Sequence, residues 1–394
     1  MGNDDHSKTV VVTSTINVPT FLDSICKNAV DHGMTYLGIV IGDEKTPVEA
    51  RTYCNRLSEE YGIENKYYDL EDQYRILDDY KEFLDFIPHN NNVRKMIGTW
   101  LAYIGGCERV IMIDDDNYAM DGNFIGFHDI VGKKRNINLT SSDSGWFNIS
   151  ETMVEQEGIP FYPRGYPWSK RFRRDQLETS KEEARVIVNG GLVFGDPDID
   201  AVSRLFWPIR VTGFKEEFLP VFGLQEGTWS PFNDQNTAIA RELIPVYFKP
   251  PSVLRNADIW TSYLIEKLTE GTGDVITYGQ PIVEQIRNDH DIRRDYALEE
   301  IHNRATDNFV DLLRSIELTS VGYLSRLQET IELALDLMKS GRVFNQEQGK
   351  EMEIRHAHLP TSQERLEMEL EENLLIRNFF LEYKAWTDIM LKVT

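Results

Sequence analysis

Apolar runs alternate with helix-like segments through the first third of the chain. The runs at 9–13, 36–41 and 109–113 are short, apolar and rich in β-branched residues, which is typical of strands buried on both faces. Between them, the segments 19–30, 47–61 and 93–104 have helical length, and prolines open the first two. This alternation predicts an α/β fold in which helices flank a mixed, mostly parallel sheet.

The pattern changes twice further along the chain. Residues 119–184 are irregular and rich in aromatic side chains, and so long a stretch inside a compact domain is usually functional. A strand restarts at 186–189, and mixed elements follow at 236–247 and 257–267. From about residue 296, apolar positions recur at helical spacing over 312–338 and 365–390. We therefore predict one domain over 1–295 and a helical C-terminal region over 296–394, through which the protein could form homo-oligomers.

The charge balance narrows the choice of partner. The formal net charge is −23, so the surface repels nucleic acid and anionic lipid. No apolar run approaches the roughly 18 residues of a membrane span, and the polar start of the chain leaves no room for a signal peptide. The three cysteines, Cys26, Cys54 and Cys107, form no paired motif, which favours reduced thiols. We expect a cytoplasmic protein.

Polar clusters follow three of the predicted strands. They lie at residues 13–15, 42–45 and 114–116. In open α/β sheets, ligands bind beyond the carboxyl ends of the strands. The sequence therefore predicts a single pocket at this edge of the sheet.

The sharpest cluster is the acidic triplet Asp114, Asp115 and Asp116. Three consecutive carboxylates after a buried strand repel one another unless a cation neutralises them. Oxygen ligands favour Mg²⁺ or Mn²⁺, and Mg²⁺ characteristically binds one or two carboxylates together with substrate phosphates. A nucleotide diphosphate fits this chemistry. The alternative is an acidic loop on the surface of an acidic protein.

Two basic segments could contact a diphosphate. Arg94 and Lys95 lie at the start of the helix that precedes the triplet. The segment 164–171, with sequence RGYPWSKR, combines a constrained backbone with aromatic rings and two arginines. Arg164 and Arg171 could each bind phosphate through two N–H groups. The alternative is a structural turn held by ion pairs.

Two further candidates have ordinary explanations. Asp258 precedes a predicted helix and could be a general base or a helix cap. His290 could be a metal ligand or a loop histidine among acidic neighbours. The fingerprints of dehydrogenases, P-loop kinases, serine hydrolases and zinc proteases are absent from the sequence.

Together, the acidic triplet, the RGYPWSKR segment and the glycine-containing run 189–198 (NGGLVFGDPD) resemble the reversibly glycosylated polypeptide family, which includes plant UDP-arabinopyranose mutases. The resemblance covers roughly residues 9–295. It implies a GT-A-type fold, metal and sugar-nucleotide binding by the triplet, and a place for Asn189 and Gly190 at the sugar-nucleotide. It ties Arg164 to self-glycosylation and activity, and Arg171 to support of activity. Because a protonated guanidinium is a poor nucleophile, we favour Arg164 as a diphosphate clamp.

These observations predict a metal-dependent glycosyltransferase that uses a nucleotide-diphospho-sugar, most simply a UDP-sugar, with an unknown acceptor. The expected catalytic residues are Arg164, Arg171 and Asp258. The expected nucleotide-sugar ligands are Thr13, Ser14, Thr15, Asp43, Lys45, Arg94, Asp114, Asp115, Asn189 and Gly190. The expected ligands of Mn²⁺ or Mg²⁺ are Asp114, Asp116 and His290. The alternatives are a UDP-sugar mutase that interconverts pyranose and furanose forms, a sugar nucleotidyltransferase, and a non-enzymatic scaffold.

Overall fold

A large mixed sheet forms the centre of the molecule. The computed structural model describes residues 8–172, 175–287, 291–339 and 362–393. Twelve strands within these ranges form one sheet, with the main order β3-β2-β1-β4-β11-β8-β6-β10-β12-β5. Their bounds are β1 Thr9–Thr15, β2 Leu37–Gly42, β3 Asn65–Tyr68, β4 Arg109–Ile113, β5 Asn117–Ala119, β6 Lys134–Ser142, β7 Met153–Glu155, β8 Leu177–Gly195, β9 Val211–Phe214, β10 Val221–Leu224, β11 Asn236–Ala240 and β12 Asp274–Gln285.

Helices cover both faces of the sheet and continue into the C-terminal region. The α-helices of the described residues are α1 Leu22–Asp31, α2 Glu49–Tyr61, α3 Leu70–Ile76, α4 Lys81–Phe86, α5 Lys95–Ile104, α6 Phe124–His128, α7 Ala201–Phe206, α8 Ala257–Thr269, α9 Ile292–Ser315, α10 Tyr323–Lys339 and α11 Ser362–Val393. None of them combines the length and the apolar character that a membrane crossing requires.

The first four strands in the sheet order, β3-β2-β1-β4, pair in parallel, as predicted. Their apolar residues are buried because α5 packs against β1 and β2. Gly98 of α5 permits this close packing, since a Cβ at that position would lie 2.4 Å from Cγ1 of Val12. The predicted strands and helices of this half are confirmed, with boundaries shifted by a few residues.

Beyond β4, antiparallel pairings outnumber parallel ones. The mixed α/β class is confirmed, but parallel pairing predominates only in the first half of the sheet. Strand β11 runs antiparallel to β4 and β8, while β8 also pairs with β6 and β12. The irregular segment 119–184 contains β6 and the first part of β8. Residues 178–183 of β8 are polar and mostly exposed, so they carry no apolar periodicity, and pairing with β6 forms the strand instead.

The apolar face of α11 packs against residues 245–261 of the same chain. Trp386 stacks on Phe248 at a ring distance of 4.6 Å, and its indole N–H donates to the Pro245 carbonyl. The Tyr383 hydroxyl donates to the Phe248 carbonyl at 2.7 Å. The helical character predicted for this region is therefore confirmed. Its separation as a domain and its role in self-association stay predictions.

A buried histidine joins three strands of the sheet core to α6. His128 is fully buried, and its Nε2 lies 3.0 Å from Oδ1 of Asn236. The Asn189 amide nitrogen lies 3.3 Å from His128 Nδ1, and the Thr277 hydroxyl donates to Asn189 Oδ1 at 2.9 Å. A proton on both ring nitrogens would place an N–H against the Asn189 amide. The geometry therefore favours a neutral imidazole that donates from Nε2.

We predict that this histidine makes folding sensitive to acid. Burial lowers the pKa of His128 to about 4, whereas an unfolded histidine titrates near about 6.5. The unfolded chain binds the extra proton in this window, so the contribution of His128 is complete above about pH 6.5 and is lost as the pH falls towards 4. In urea unfolding between pH 6.5 and 4.5, His128→Gln should reduce the slope of unfolding free energy by up to about 1.4 kcal/mol per pH unit.

The exposed His32 provides the matched control, His32→Gln. Identical slopes for the two variants would contradict the prediction.

Candidate functional site

The loops after β1, β2 and β4 meet at one edge of the sheet, as the sequence predicts. The Thr15 hydroxyl donates to Oδ2 of Asp115 at 2.6 Å. The Thr46 hydroxyl, from the loop after β2, donates to the Thr15 carbonyl at 2.6 Å. Thr13 is buried and its hydroxyl lies 3.4 Å from the carbonyl of the half-buried Ser14. Thus residues 13–15 and the acidic triplet belong to one polar surface.

The loop after β2 brings Asp43 towards Arg94. Arg94 Nε lies 3.8 Å from Asp43 Oδ2, and Gln73 accepts a hydrogen bond from the same guanidinium. Arg94 is 1% exposed, yet its Nε and Nη1 have no hydrogen-bond partner among the residues that the structure describes. A buried donor without a partner is costly, so these N–H groups are suited to an anionic or carbonyl ligand. Lys45 is exposed in the same turn.

The three carboxylates of the triplet point to three different sets of partners. Asp114 pairs with Lys95, and Asp115 accepts from Thr15. Asp116 accepts from the Gln285 amide at 2.9 Å. Burial raises the pKa of Asp116 to about 6, against the opposing effect of this hydrogen bond.

Across residues 8–172, 175–287, 291–339 and 362–393, no three histidine, cysteine or acidic side chains are arranged to hold a metal. A cation that takes one or two carboxylates and completes its shell with phosphate and water fits the triplet. The predicted ligand His290 lies outside the described residues.

Two buried lysines neutralise the acidic groups beside the triplet. Lys95 contacts Asp114 and lies 3.3 Å from Asp234 Oδ1. Lys249, which is fully buried, donates to Asp234 Oδ2 at 2.6 Å. Burial alone would lower the pKa of Lys95, but Asp114 and Asp234 raise it above its usual value. The four residues form a charge-balanced network, hereafter the lysine network.

Arg164 lies between two acidic residues. Its Nε donates to the two oxygens of Asp198 at 3.1 and 3.0 Å, and Nη1 and Nη2 each lie 3.3 Å from an oxygen of Asp258. Burial alone would raise the pKa of Asp198, but Arg164 holds it well below its usual range. Burial raises the pKa of Asp258 against the effect of Arg164. The structure thus joins two predicted catalytic residues in one ion-pair triad, Asp198–Arg164–Asp258.

Arg171 has structural partners within the fold. Its Nη2 lies 3.0 Å from Asp200, whose side chain caps α7, and its guanidinium stacks over Trp168 at 3.9 Å. Gly165 has a φ of +67°, and a Cβ there would lie 2.6 Å from Ile259 of α8. These contacts fix the 164–171 segment against α7 and α8. An activity-supporting role for Arg171 stays a prediction.

A solvent-open cavity lies beside the triad. Asp198, Asn233, Gln235 and Gly190 contribute to its wall. The neighbouring Asn189 is fully buried, and its amide is bonded to the His128 network. Of this predicted pair, Gly190 lines the cavity, while the Asn189 side chain is engaged within the core.

The structure adds residues that the sequence pattern did not single out. Gln285 and Arg287 connect the triplet with the cavity wall, since Gln285 contacts Asp116 and Arg287 binds Asp196 at 3.0 Å. The loop 233–235 makes a second connection, because the Gln235 carbonyl accepts from the Asp114 backbone N–H. Polar residues just before β11 and at the end of β12 were the available signal, but the partners of Arg287 and Gln285 are 91 and 169 positions away.

The chain resembles two curated plant proteins at low identity. It is 24% identical over 223 residues to "Probable glycosyltransferase STELLO2" of Arabidopsis thaliana, which covers 51% of this chain and 28% of the relative. It is 23% identical over 218 residues to "Probable glycosyltransferase STELLO1", which covers 50% and 27% respectively. The match thus spans about a quarter of each relative's length. No known protein-family profile matches the chain.

These distant relatives support a glycosyltransferase-like function, in agreement with the class predicted from the sequence. The resemblance to the reversibly glycosylated polypeptides is not confirmed as membership of that family.

We predict that loss of Lys95 destabilises the fold. Lys95→Met would leave Asp114 without its cation and Asp234 with Lys249 alone. Breaking a buried ion pair by removing one partner typically costs about 3–5 kcal/mol. Chemical denaturation should therefore show a loss of this order.

The exposed Lys27, which pairs with Asp31, gives the matched control Lys27→Met, and we expect little or no change there. Adding Asp114→Asn to Lys95→Met should recover part of the loss. Equal stability of Lys95→Met and wild type would show that the network is not needed for folding.

Proposed function

We propose that this protein is a metal-dependent glycosyltransferase whose donor is a nucleotide-diphospho-sugar, most simply a UDP-sugar. The observation that carries the proposal is the convergence of the loops after β1, β2 and β4, shown by the Thr15–Asp115 and Thr46–Thr15 hydrogen bonds. The α/β architecture and the similarity to probable glycosyltransferases support the same class.

The nucleoside would bind where the first two loops meet. Thr13, Ser14 and Thr15 provide hydroxyl and backbone groups at the end of β1, and Lys45 is exposed nearby. Asp43 can accept a hydrogen bond from a base or ribose. Arg94 Nε and Nη1, which have no hydrogen-bond partner among the described residues, can donate to an oxygen. This arrangement is suited to a polar, planar ligand with a sugar attached.

The diphosphate would lie against the acidic triplet. A divalent cation bound there supplies a Lewis acid that offsets the charge developing on the leaving diphosphate. Asp116 and Asp115 would hold the cation. Asp114, which the sequence analysis expects as a metal ligand, pairs with Lys95, and this contact fixes it beside them. Arg287 is 14% exposed and lies on the Asp116 side of the site, so it could contribute positive charge to the leaving group.

The acceptor would approach from the side of the Asp198–Arg164–Asp258 triad. In this arrangement Arg164 orients the carboxylates of Asp198 and Asp258, because its side-chain hydrogen bonds go to those two acids. This role differs from the diphosphate clamp that we favour from the sequence. Asp258 is the candidate base if the reaction inverts the anomeric centre. Burial, which raises the pKa of Asp258, favours such a role.

We predict that Asp116→Asn removes metal-dependent nucleotide binding but preserves folding. An amide keeps the shape of this largely buried carboxylate. Because Gln285 and Asn117 donate to its two oxygens, one of these neighbouring amides must turn over to accept from the new N–H₂ group, and we expect the fold to tolerate that change. Without the anionic oxygen, affinity for UDP in the presence of Mn²⁺ should fall by about tenfold or more, since a hard cation prefers carboxylate ligands. Isothermal titration calorimetry with UDP, with and without Mn²⁺, measures the effect.

The exposed Asp121 provides the matched control, Asp121→Asn, which should bind UDP like the wild type. If the wild-type protein binds no UDP with either Mn²⁺ or Mg²⁺, the proposed function is wrong.

The mutase alternative makes a different chemical prediction. A mutase would convert one UDP-sugar into its ring isomer without an acceptor, whereas a transferase without an acceptor should give UDP and free sugar by slow hydrolysis, or no reaction. Incubation with Mn²⁺ and a panel of UDP-sugars, followed by chromatographic separation, distinguishes them. We expect no isomer. An isomer that disappears with Asp116→Asn would establish the mutase instead.

A further inference from the structure

The cavity beside the Asp198–Arg164–Asp258 triad contains an unusual distribution of charge. Among the described residues that line it, Asp198 carries the formal charge, and the others are neutral. Arg164 lies behind this carboxylate, and its guanidinium hydrogen bonds are directed at Asp198 and Asp258. Two carboxylates against one guanidinium leave the triad itself formally negative, and Arg255 and Arg287, which also lower the pKa of Asp198, do not line the cavity. The cavity therefore presents an anionic hydrogen-bond acceptor to whatever enters it.

A second observation indicates that this cavity receives a ligand. Gln235 is 3% exposed and lines the cavity, yet its Nε2 has no hydrogen-bond partner among the described residues. A buried amide N–H₂ without a partner is costly unless a ligand or water satisfies it. Asn233 donates towards Asp198 at 3.4 Å and towards Gln235 Oε1 at 3.5 Å, so the two polar groups are held on one wall.

The remaining wall is mostly apolar and includes Phe232, Ile259 and Tyr278. A cavity with one apolar side and a few fixed polar groups is typical of sites that bind a small organic molecule in a defined orientation. A sugar ring has this amphipathic character, with C–H groups on its faces and hydroxyls at its edge. A carboxylate accepts from hydroxyls, and an amide N–H donates to them.

The cavity is also connected to the expected diphosphate position. The Asp114 backbone N–H donates to the Gln235 carbonyl at 3.2 Å, so the cavity wall lies beside the first residue of the acidic triplet. On the other side, Gln285 links Asp116 to Arg287, which binds the 196–197 loop next to Asp198. A sugar attached to a diphosphate at the triplet would reach this cavity.

We propose that the cavity is the subsite for the sugar of the donor and that it selects neutral sugars over uronic acids. This inference rests on the proposed function. Asp198 would accept hydrogen bonds from sugar hydroxyls, and Gln235 Nε2 would donate one. A sugar carboxylate would meet the Asp198 carboxylate at short range, where like charges repel and specificity arises from the repulsion.

Matched donor pairs test the proposal directly. UDP-glucose and UDP-glucuronic acid differ only at C6, as do UDP-galactose and UDP-galacturonic acid. In calorimetric titrations with Mn²⁺, the wild-type protein should bind at least one neutral donor more tightly than UDP, and about tenfold or more tightly than its uronic acid counterpart. Equal or tighter binding of the uronic acids would overturn the proposal.

Two variants identify the groups responsible. Asp198→Asn should weaken binding of the neutral donor and reduce the discrimination between paired donors to about threefold or less, because the repulsive charge is gone. Gln235→Leu should weaken the neutral donor by about fivefold or more without changing UDP affinity. Gln225→Leu, at a position that does not line this cavity, is the matched control. If Asp198→Asn does not fold, Gln235→Leu still decides the matter.

The outcomes of these titrations distinguish failure of the sugar subsite from failure of the proposed function on which it rests. Failure of UDP itself to bind with Mn²⁺ would overturn both proposals. Normal UDP binding with no added affinity from any neutral sugar, or equal effects of Gln235→Leu on UDP and UDP-sugars, would overturn the sugar subsite alone.

Discussion

The buried contact between Lys95 and the acidic groups around it is the constraint on which the rest of the site depends. Four carboxylates, those of Asp114, Asp198, Asp234 and Asp258, lie close together at the end of the sheet. Carboxylates in a poorly hydrated environment are tolerated when cations of matching geometry accompany them. Lys95, Arg164 and Lys249 meet this requirement from three distant parts of the chain, and thereby hold the loops around the cavity in one arrangement.

The network lies where the sheet changes character. The parallel half ends at β4, which the triplet follows directly, and β11 pairs antiparallel with β4. This pairing brings the start of β11, with Asp234 and Gln235 just before it, beside Asp114. A parallel neighbour would have placed the opposite end of its strand there. The mixed topology therefore places the residues that we propose contact the sugar next to those that we propose hold the metal.

Sequence analysis was most informative where local pattern determines structure. The apolar runs of β1, β2 and β4 identified the parallel strands, and the geometry of such sheets was enough to bring Thr15 and Asp115 together. It was least informative where a residue's role depends on a distant partner. Arg164 and Asp258 were singled out separately, but their pairing across 94 positions, with Asp198 as a third member, has no local signature. Likewise, Asn189 matches a family segment, yet its amide is bonded to His128 within the core.

The docking of α11 links the far end of the chain to the chemistry of the site. Both the amide and the carbonyl of Phe248 bind the Tyr383 hydroxyl, and the next residue is Lys249, which holds Asp234. Helix α11 thus packs against the segment between β11 and α8, which contributes Lys249 to the lysine network. A shortened form of this protein that is meant to retain the site should keep α11, because its removal would leave Lys249 on a segment that has lost its packing partner.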